Sequence, residues 1–439
     1  MWSEPKTVRR IGWLKPGLGV KRWLLLAFFG AGTIALGLLS GIRALAAGAQ
    51  LPDPLVQIAA ALALRDLDPM LRAATAAVLG LLLVGIGLVG LARAAILPYR
   101  TDRPGVSLLE LLERRRRLAR GRRVVVLGGG TGLGTALRGL KLETAHLTAI
   151  VSMGDDGGSS GVLREQLGIP PVGDLRNCLV ALSDSESTAA DLLRFRLPAE
   201  PGAPRGHAVG NLLLAAAIYQ EGGDLERGVA RVHRILNVRG EVIPGTSVAL
   251  ELIGTTTDGA TVRGQAQLAR TRNIHHISIA PAEARATPSA VIAIQEADLI
   301  VLGPGSLYTS VIPHLLVPEI LAALTSRRAP LVWVANVDEQ EGETEGMDLD
   351  AHLAALEVHG AVGLIDGILA TSSSEGRAGA VGGVPIAPVL RQTSDPEGRK
   401  RPPLFIRDVA SRRTPHLHEP TLLAQALLRL PLREPRRPR

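Results

Sequence analysis

Two glycine-rich turns, each closing an apolar run, hold the residues of this sequence whose types and spacing suit chemistry. Val124 to Leu127 is continuous apolar sequence, and Gly128, Gly129, Gly130, Thr131 and Gly132 follow it. A run of this kind is buried on both faces in a parallel sheet. Glycines after it let the backbone take positive φ and approach a ligand closely. A helix beginning near Thr135 turns its unpaired N–H groups and the positive end of its dipole on the same point, so an anion fits there. The second turn closes the run TAIVSMGDDGGSSG over 148–161, with Asp155 and Asp156 at a strand end and Gly157, Gly158, Ser159 and Ser160 after them. Adjacent carboxylates at a sheet edge hold Mg²⁺ against a substrate phosphate or accept hydrogen bonds from sugar hydroxyls; the alternative is an Asp-rich turn that caps its own backbone. The spacing is not the dinucleotide fingerprint, because Leu133 stands where its last glycine belongs, and no Gly-Lys-Ser/Thr follows to make a P-loop.

Other segments add candidates. Gly173-Asp174-Leu175-Arg176-Asn177 puts an acid at a helix start and an arginine in the first turn, able either to clamp a phosphate or to stay solvated. His207 precedes Asn211 at a similar helix entry, as a ligand contact or a cap. Gly303, Gly305, Ser306, Tyr308 and Thr309 follow the apolar run ending at Leu302 and form another anion cradle, or an ordinary Pro-Gly turn. Two cradles suit a diphosphate. Asn336, with Glu343 and Thr344 in the loop after it, stands ready to complete such a site. Residues 157–161 also satisfy G-x-S-x-G, the nucleophile-elbow pattern, between a strand and a helix. No histidine is marked by spacing as a partner, so Ser159 and Ser160 read better as phosphate-binding or helix-capping hydroxyls.

These residues need elements to position them. Strands are expected at 123–128, 147–153, 298–303, 330–336 and 363–370, alternating with helices, which argues for a doubly wound parallel sheet. Residues 160–237 interrupt the alternation with helical segments, forming one wall of a cleft. Residues 247–270 read as a hairpin turning at Asp258-Gly259. Two charge-free apolar stretches, about 23–42 and 73–92, are each long enough to cross a bilayer. Lys and Arg flank both outer ends, including the run Arg114 to Arg117, so both ends face the cytoplasm. A cleaved signal peptide ending near Ala44-Leu45-Ala46 competes weakly, because the apolar core is too long and a second stretch follows. The domains expected are thus a membrane anchor over 1–100, a basic linker over 101–122, a nucleotide-binding domain over 123–432 and a basic tail over 433–439.

The net charge of +8 invites a nucleic-acid partner, but much of the excess lies beside the apolar stretches and in the tail, and aromatic residues are only 3% of the chain, too few for a base-stacking surface. The single cysteine, Cys178, excludes an intramolecular disulfide and reads as a small buried residue. His275, His276, His416 and His418 have no ligand set around them to mark a metal site.

Six blocks together resemble one family: VVVLGGGTGLGTALRGLK, TAIVSMGDDGGSSGVLREQLGIPPVGDLRNCLVALS, GHAVGNLLLAA, LNVRGEVIP, ADLIVLGPGSLYTSVIPHLLVP and ANVDEQEGETEGMDLDAHL. They are similar to the gluconeogenesis factor proteins of the YvcK type, grouped with the CofD-type 2-phospho-L-lactate transferases. The resemblance covers about Arg123 to Leu369 and implies a Rossmann-like sheet with a cytoplasmic ligand cleft. Its regulator branch implies binding of UDP-N-acetylglucosamine and a link to carbon metabolism and cell shape. Its transferase branch implies Mg²⁺-dependent transfer of a phospholactyl group from a guanosine diphosphate donor onto a deazaflavin. Asp155 and Asp156 match the acidic turn of both branches, whereas GPGSLYTS and GETEG look like the regulator branch. Met347 departs from the tyrosine that regulator-type sequences carry there, which removes a stacking contact. The expectation is a membrane-bound, homo-oligomeric binder of a nucleotide sugar or another nucleotide diphosphate, with no nucleic-acid partner, no certain cofactor and Mg²⁺ as the possible one.

Overall fold

The computed structural model describes residues 20–45, 69–96, 113, 116–183, 186–198, 206–372, 384–394 and 398–432. The chain divides into two compact units, residues 1–108 and 109–439. The basic tail 433–439, most of the linker 101–122 and most residues flanking the two apolar stretches lie outside the described residues.

In the first unit, helices Val20–Leu45 and Pro69–Ile96 pack on each other through small residues. A Cβ on Gly30 would lie 2.8 Å from the Gly80 carbonyl oxygen, and one on Gly87 would lie 2.8 Å from the Ala27 nitrogen. Such close backbone approach characterises helix pairs in lipid, while Phe28, Phe29, Leu81 and Leu82 face outward. Within Pro69–Ile96, the stretch Ala74–Leu91 is long and apolar enough to cross a membrane. The expected stretch 23–42 is helical, but its described apolar part is the shorter Trp23–Leu36, so among the described residues Ala74–Leu91 is the single unbroken helical stretch long and apolar enough to cross a membrane.

The second unit is built on strands β1 (Val124–Gly128), β2 (Leu147–Val151), β3 (Glu241–Pro244), β4 (Glu251–Thr256), β5 (Thr261–Arg263), β6 (Ile274–Ala280), β7 (Leu299–Leu302), β8 (Leu331–Val334), β9 (Gly367–Thr371) and β10 (Leu404–Arg407). Among the described residues, seven form one sheet in the order β10-β9-β8-β7-β1-β2-β3. Every neighbouring pair is parallel. The apolar runs of β1, β7, β8 and β9 are buried along their whole length, as strands covered on both faces must be. From β1 the chain winds outward to β2 and β3, then returns to β7 and winds the other way. The boundary between β1 and β7 is therefore the topological switch point, outside whose carboxyl ends open α/β sheets bind ligands. The five strands expected from the apolar runs are present and the fold is the expected Rossmann-like α/β sheet.

The insertion over 160–237 is helical as expected. The hairpin at 251–263 forms, with Gly259 at φ 85° in its turn, and β6 joins it antiparallel to make a three-stranded sheet. β4 alternates half-exposed and buried residues along its length, the pattern of a strand with one wet face.

Candidate functional site

The helix after β1 starts earlier than its glycines suggest. Gly129 is the extended residue before it, Gly130 opens it at φ 60°, and Gly132 lies inside helix Gly130–Leu140. Close packing explains Gly132: a Cβ there would lie 2.5 Å from the Pro304 carbonyl oxygen. The turns after β1 and β7 thus interlock, Gly132 against Pro304 and Gly129 against Ser310. Gly130 and Thr131 retain exposure above them.

Asp174 lies over the first turn. A Cβ on Gly129 would be 2.7 Å from Asp174 Oδ2, and the Gly130 N–H donates to the same carboxylate. Asp155 faces it: Oδ1 accepts from the Gly157 N–H at 3.0 Å, and Oδ2 lies 2.8 Å from where a Gly173 Cβ would sit. Ser160 ties the two acids together, since its Oγ accepts from the N–H groups of Val172 at 3.1 Å and Gly173 at 3.0 Å while its hydroxyl donates to Asp155. Desolvation pushes Asp174 up to about 6, and the charge of Asp155 adds to the rise. Burial likewise raises Asp155, against the Gly157 hydrogen bond. Two carboxylates that resist ionising side by side favour a cation or a proton between them.

Asp156 points elsewhere. Its Oδ2 accepts from Gln265 N and its Oδ1 from Ala266 N, both at 2.9 Å, so it caps helix Gln265–Leu268. The carboxylate that faces Asp155 is Asp174, not the neighbour in sequence. No group of three His, Cys, Asp or Glu able to hold a metal ion occurs among the described residues. Asp155 and Asp174 fit only the partial kind of Mg²⁺ site, in which one or two carboxylates leave the remaining positions to water and substrate phosphate.

Beside the acids sits Arg176, half-buried and, among the described residues, without a hydrogen-bonded carboxylate partner. Its Nη1 donates to Asn211 Oδ1 and its Nη2 to Asn177 Oδ1, each at 3.0 Å, and its buried Nε has no hydrogen-bond partner among the described residues. Its stem lies against Gly210, where a Cβ would be 2.8 Å away. Burial lowers its pKa, and Arg196 and Arg194 lower it further by repulsion. Asn211 Nδ2 in turn donates to Ser159 Oγ at 3.0 Å, and Ser159 Oγ lies 3.0 Å from His207 Nδ1. Asp155, Ser160, Asp174, Arg176, Asn177, Asn211, Ser159 and His207 therefore form one connected polar network on the helical insertion.

The turn after β7 is filled from within. Glu343 Oε1 accepts from the N–H groups of Tyr308 at 2.7 Å and Thr309 at 3.0 Å, at the start of the π-helical turn Leu307–Val311. Glu343 is 2% exposed, and burial pushes it up to about 7. The Tyr308 hydroxyl donates to the Ile274 carbonyl oxygen at 2.9 Å inside the core, and Thr309 is spent on Glu343. Ser306 Oγ accepts from Gln340 Nε2 at 2.8 Å, and Gln340 Oε1 accepts from Asn336 at 3.4 Å. Tyr308, Thr309, Ser306 and Asn336, expected to meet a ligand, are thus joined to the 336–344 loop, and the chain's own carboxylate stands where the anion was expected.

The CofD family model, described as 2-phospho-L-lactate transferase CofD, matches residues 124–379, which hold the whole of this network. The chain belongs to the CofD family. Within it, the chain is similar to proteins described as gluconeogenesis factors. A putative gluconeogenesis factor of Nostoc sp. is 40% identical over 367 residues, 81% of this chain and 78% of that one. The gluconeogenesis factor of Bacillus subtilis is 42% identical over 251 residues, 57% of this chain and 78% of that one. A crystal structure of a UPF0052-family protein from Bacillus halodurans is 36% identical, with a TM-score of 0.63, over 71% of this chain and 99% of that chain.

Two residues of this CofD-family site carry no signal in the sequence. His314 is buried with its ring Nε2 3.0 Å from the Gly128 carbonyl oxygen, and burial pushes its pKa down to about 4. Ser310 packs against Gly129. Each lies in an apolar helical stretch, where a lone polar residue reads as incidental. Cys178 is fully buried, as its apolar setting suggests.

Proposed function

We propose that this CofD-family protein is a membrane-anchored regulator of the gluconeogenesis factor type that binds a nucleotide sugar, UDP-N-acetylglucosamine, at the carboxyl edge of β1 and β2. The observation that carries the reading is Arg176: a guanidinium held in place by two neutral amides, with a buried Nε that has no partner among the described residues, beside the exposed start of the Gly130 helix. A guanidinium whose hydrogen bonds go to neutral amides favours an incoming phosphate even with Asp174 and Asp155 nearby, and the Gly130–Thr131 helix start adds its dipole. Asp155 and Asp174 fit a divalent cation arriving with the diphosphate, and Asp174 or Asp155 also suits a sugar hydroxyl. The two apolar helices act as spans that keep the binding domain on the cytoplasmic face, and the protein works as a homo-oligomer in control of carbon metabolism and cell shape.

A second reading rests on the transferase for which the family model is named. The same two carboxylates beside one arginine suit the alignment of a donor diphosphate, and Mg²⁺ bound there supplies charge neutralisation of the leaving phosphate. One titration separates the two. The full chain in detergent is titrated calorimetrically with UDP-N-acetylglucosamine, with and without Mg²⁺, beside GDP and a deazaflavin acceptor. Uridine-sugar binding that generates no product supports the regulator; preference for GDP together with a deazaflavin product overturns it in favour of the transferase.

A further inference from the structure

The binding reading makes no use of the nucleophile pattern G-x-S-x-G at 157–161, yet the fold gives its central serine a histidine. Strand β2 leads into the turn, Gly158 has φ 49°, and helix Gly158–Leu167 begins there, so Ser159 sits in the first turn of a ten-residue helix. Gly161 permits the tight turn, since a Cβ on it would lie 2.1 Å from the Asp156 carbonyl oxygen. This is the strand, sharp turn and helix that the nucleophile pattern requires.

Hydrogen bonding fixes the orientation of the amide beside Ser159. Arg176 Nη1 can only donate, so the Asn211 atom it meets is the carbonyl Oδ1, and the amide orientation follows. Asn211 Nδ2 therefore donates to Ser159 Oγ at 3.0 Å. Ser159 Oγ, accepting from that amide, also lies 3.0 Å from His207 Nδ1. With the His207 proton on Nε2, the Ser159 hydroxyl donates to Nδ1, which then stands as a base. Ser160 differs in every respect: its oxygen accepts two backbone N–H groups and its proton goes to Asp155.

We propose that Ser159 is a nucleophile activated by His207, and that it accepts a phosphoryl group from a phosphoric anhydride. In the step, Ser159 Oγ bonds to phosphorus, the bond from phosphorus to the leaving phosphate oxygen breaks, and the Oγ proton passes to His207 Nδ1. The N–H groups of the first helical turn, which have no partner within the helix, face the charge that develops on the phosphoryl oxygens. His207 then gives that proton to the leaving phosphate oxygen, so it is free to take a proton from the water that attacks the phosphoserine, and it returns this proton to Ser159 Oγ as the bond from phosphorus to serine breaks, releasing phosphate and restoring the serine. The step engages the phosphoric anhydride and not the base of the ligand, so the proposal survives either outcome of the titration.

A small monoalkyl fluorophosphonate tests it, because the same attack then expels fluoride. The full chain in detergent is treated with this probe and the modified residue is read by intact and peptide mass spectrometry, with Ser159→Ala, Ser160→Ala and His207→Gln treated alongside and their melting followed by circular dichroism. The expected result is one adduct, on Ser159, lost in Ser159→Ala, retained in Ser160→Ala, and formed about 100-fold more slowly in His207→Gln, the usual worth of a positioned base. No adduct on the folded wild-type protein, an adduct on another residue, or an unchanged rate in folded His207→Gln overturns the proposal. Should His207→Gln melt below the assay temperature, the wild-type adduct and its loss in Ser159→Ala decide.

Discussion

After β1 the carboxylate laid against the glycine turn is Asp174; after β7 it is Glu343. Both meet backbone N–H groups at a helix start, and burial raises both, to about 6 and about 7 respectively. The surroundings differ. Asp174 comes from the helical insertion, keeps some exposure and has Asp155 and Arg176 around it. Glu343 comes from the loop after β8 and is sealed beside Tyr308 and Thr309, each 3% exposed. A ligand anion reaching the first turn competes with a side chain that can move into solvent. One reaching the second must first unpack the core. The same local device, an acid capping a helix start, is an exchangeable place in one turn and a structural joint in the other, and the depth of burial makes the difference.

The largest effect that tests this contrast belongs to Glu343→Ala. It leaves the N–H groups of Tyr308 and Thr309 buried without an acceptor, at about 1–3 kcal/mol each, so a loss of about 4 kcal/mol is expected in urea unfolding. A loss below about 1 kcal/mol, the range of surface substitutions, would show that the second turn is as open as the first.

Glu343→Gln keeps an acceptor and removes the charge, so its effect depends on pH. The folded-state pKa of Glu343 is raised from 4.5 to about 7, so the folded protein binds the extra proton between those values. The stability this contributes is complete below pH 4.5 and lost as pH rises through about 7. Glutamine does not titrate, so the variant gains on the wild type by on the order of 3 kcal/mol between those pH values. His314 and His418, both depressed to about 4, act oppositely, their stability rising with pH between about 4 and 6.5, but they do so in both proteins and cancel in the difference. Equal slopes for variant and wild type would remove the buried charge from the account.

Gly132→Ala probes how firmly the two turns interlock. The added Cβ meets the Pro304 carbonyl oxygen, which is backbone and cannot swing aside, so about 2 kcal/mol of destabilisation is expected by thermal melting. A melting temperature unchanged from wild type would mean that the turns separate without cost and that the second cradle is accessible after all.

Much of this arrangement was legible in the sequence because the central strands are uninterrupted apolar runs, and glycine marks each place where a strand hands over to a helix. β3 and β10 escaped notice: each has four residues at an edge of the sheet, too short for a periodicity, and β10 is only half-covered. β6 was obscured by His275-His276 and by the irregular register opposite Thr255 and Thr256. At the site, Asp155 and Arg176 stand where their motifs suggest. The pairing of acids did not follow, because it depends on Asp156 turning toward the N–H groups of residues 265 and 266, more than a hundred positions away. Gly132 misled for a similar reason: a glycine needed for packing against another loop looks, in sequence, like one needed for a ligand.

The smallest expected loss of stability is the most informative about the first turn. Asp174→Asn preserves shape and an acceptor for the Gly130 N–H while removing the charge that opposes Asp155. Burial raises Asp174 from 3.8 to about 6, so by the linkage that governs Glu343 the variant should lose no stability at pH 7 and should gain up to about 3 kcal/mol, less whatever the partial exposure of the side chain screens. Binding is where the difference should appear. An anionic ligand approaching the turn without a metal ion is repelled by both carboxylates, so neutralising one should tighten Mg²⁺-free binding of UDP-N-acetylglucosamine about tenfold. The same substitution takes away half of the partial cation site and should shrink any gain from added Mg²⁺. Calorimetric titration of Asp174→Asn with and without Mg²⁺ reads both effects together. If stability instead falls as far as in Glu343→Ala and binding does not move, then Asp174 is a structural cap like its counterpart and the ligand site lies away from the Gly130 turn.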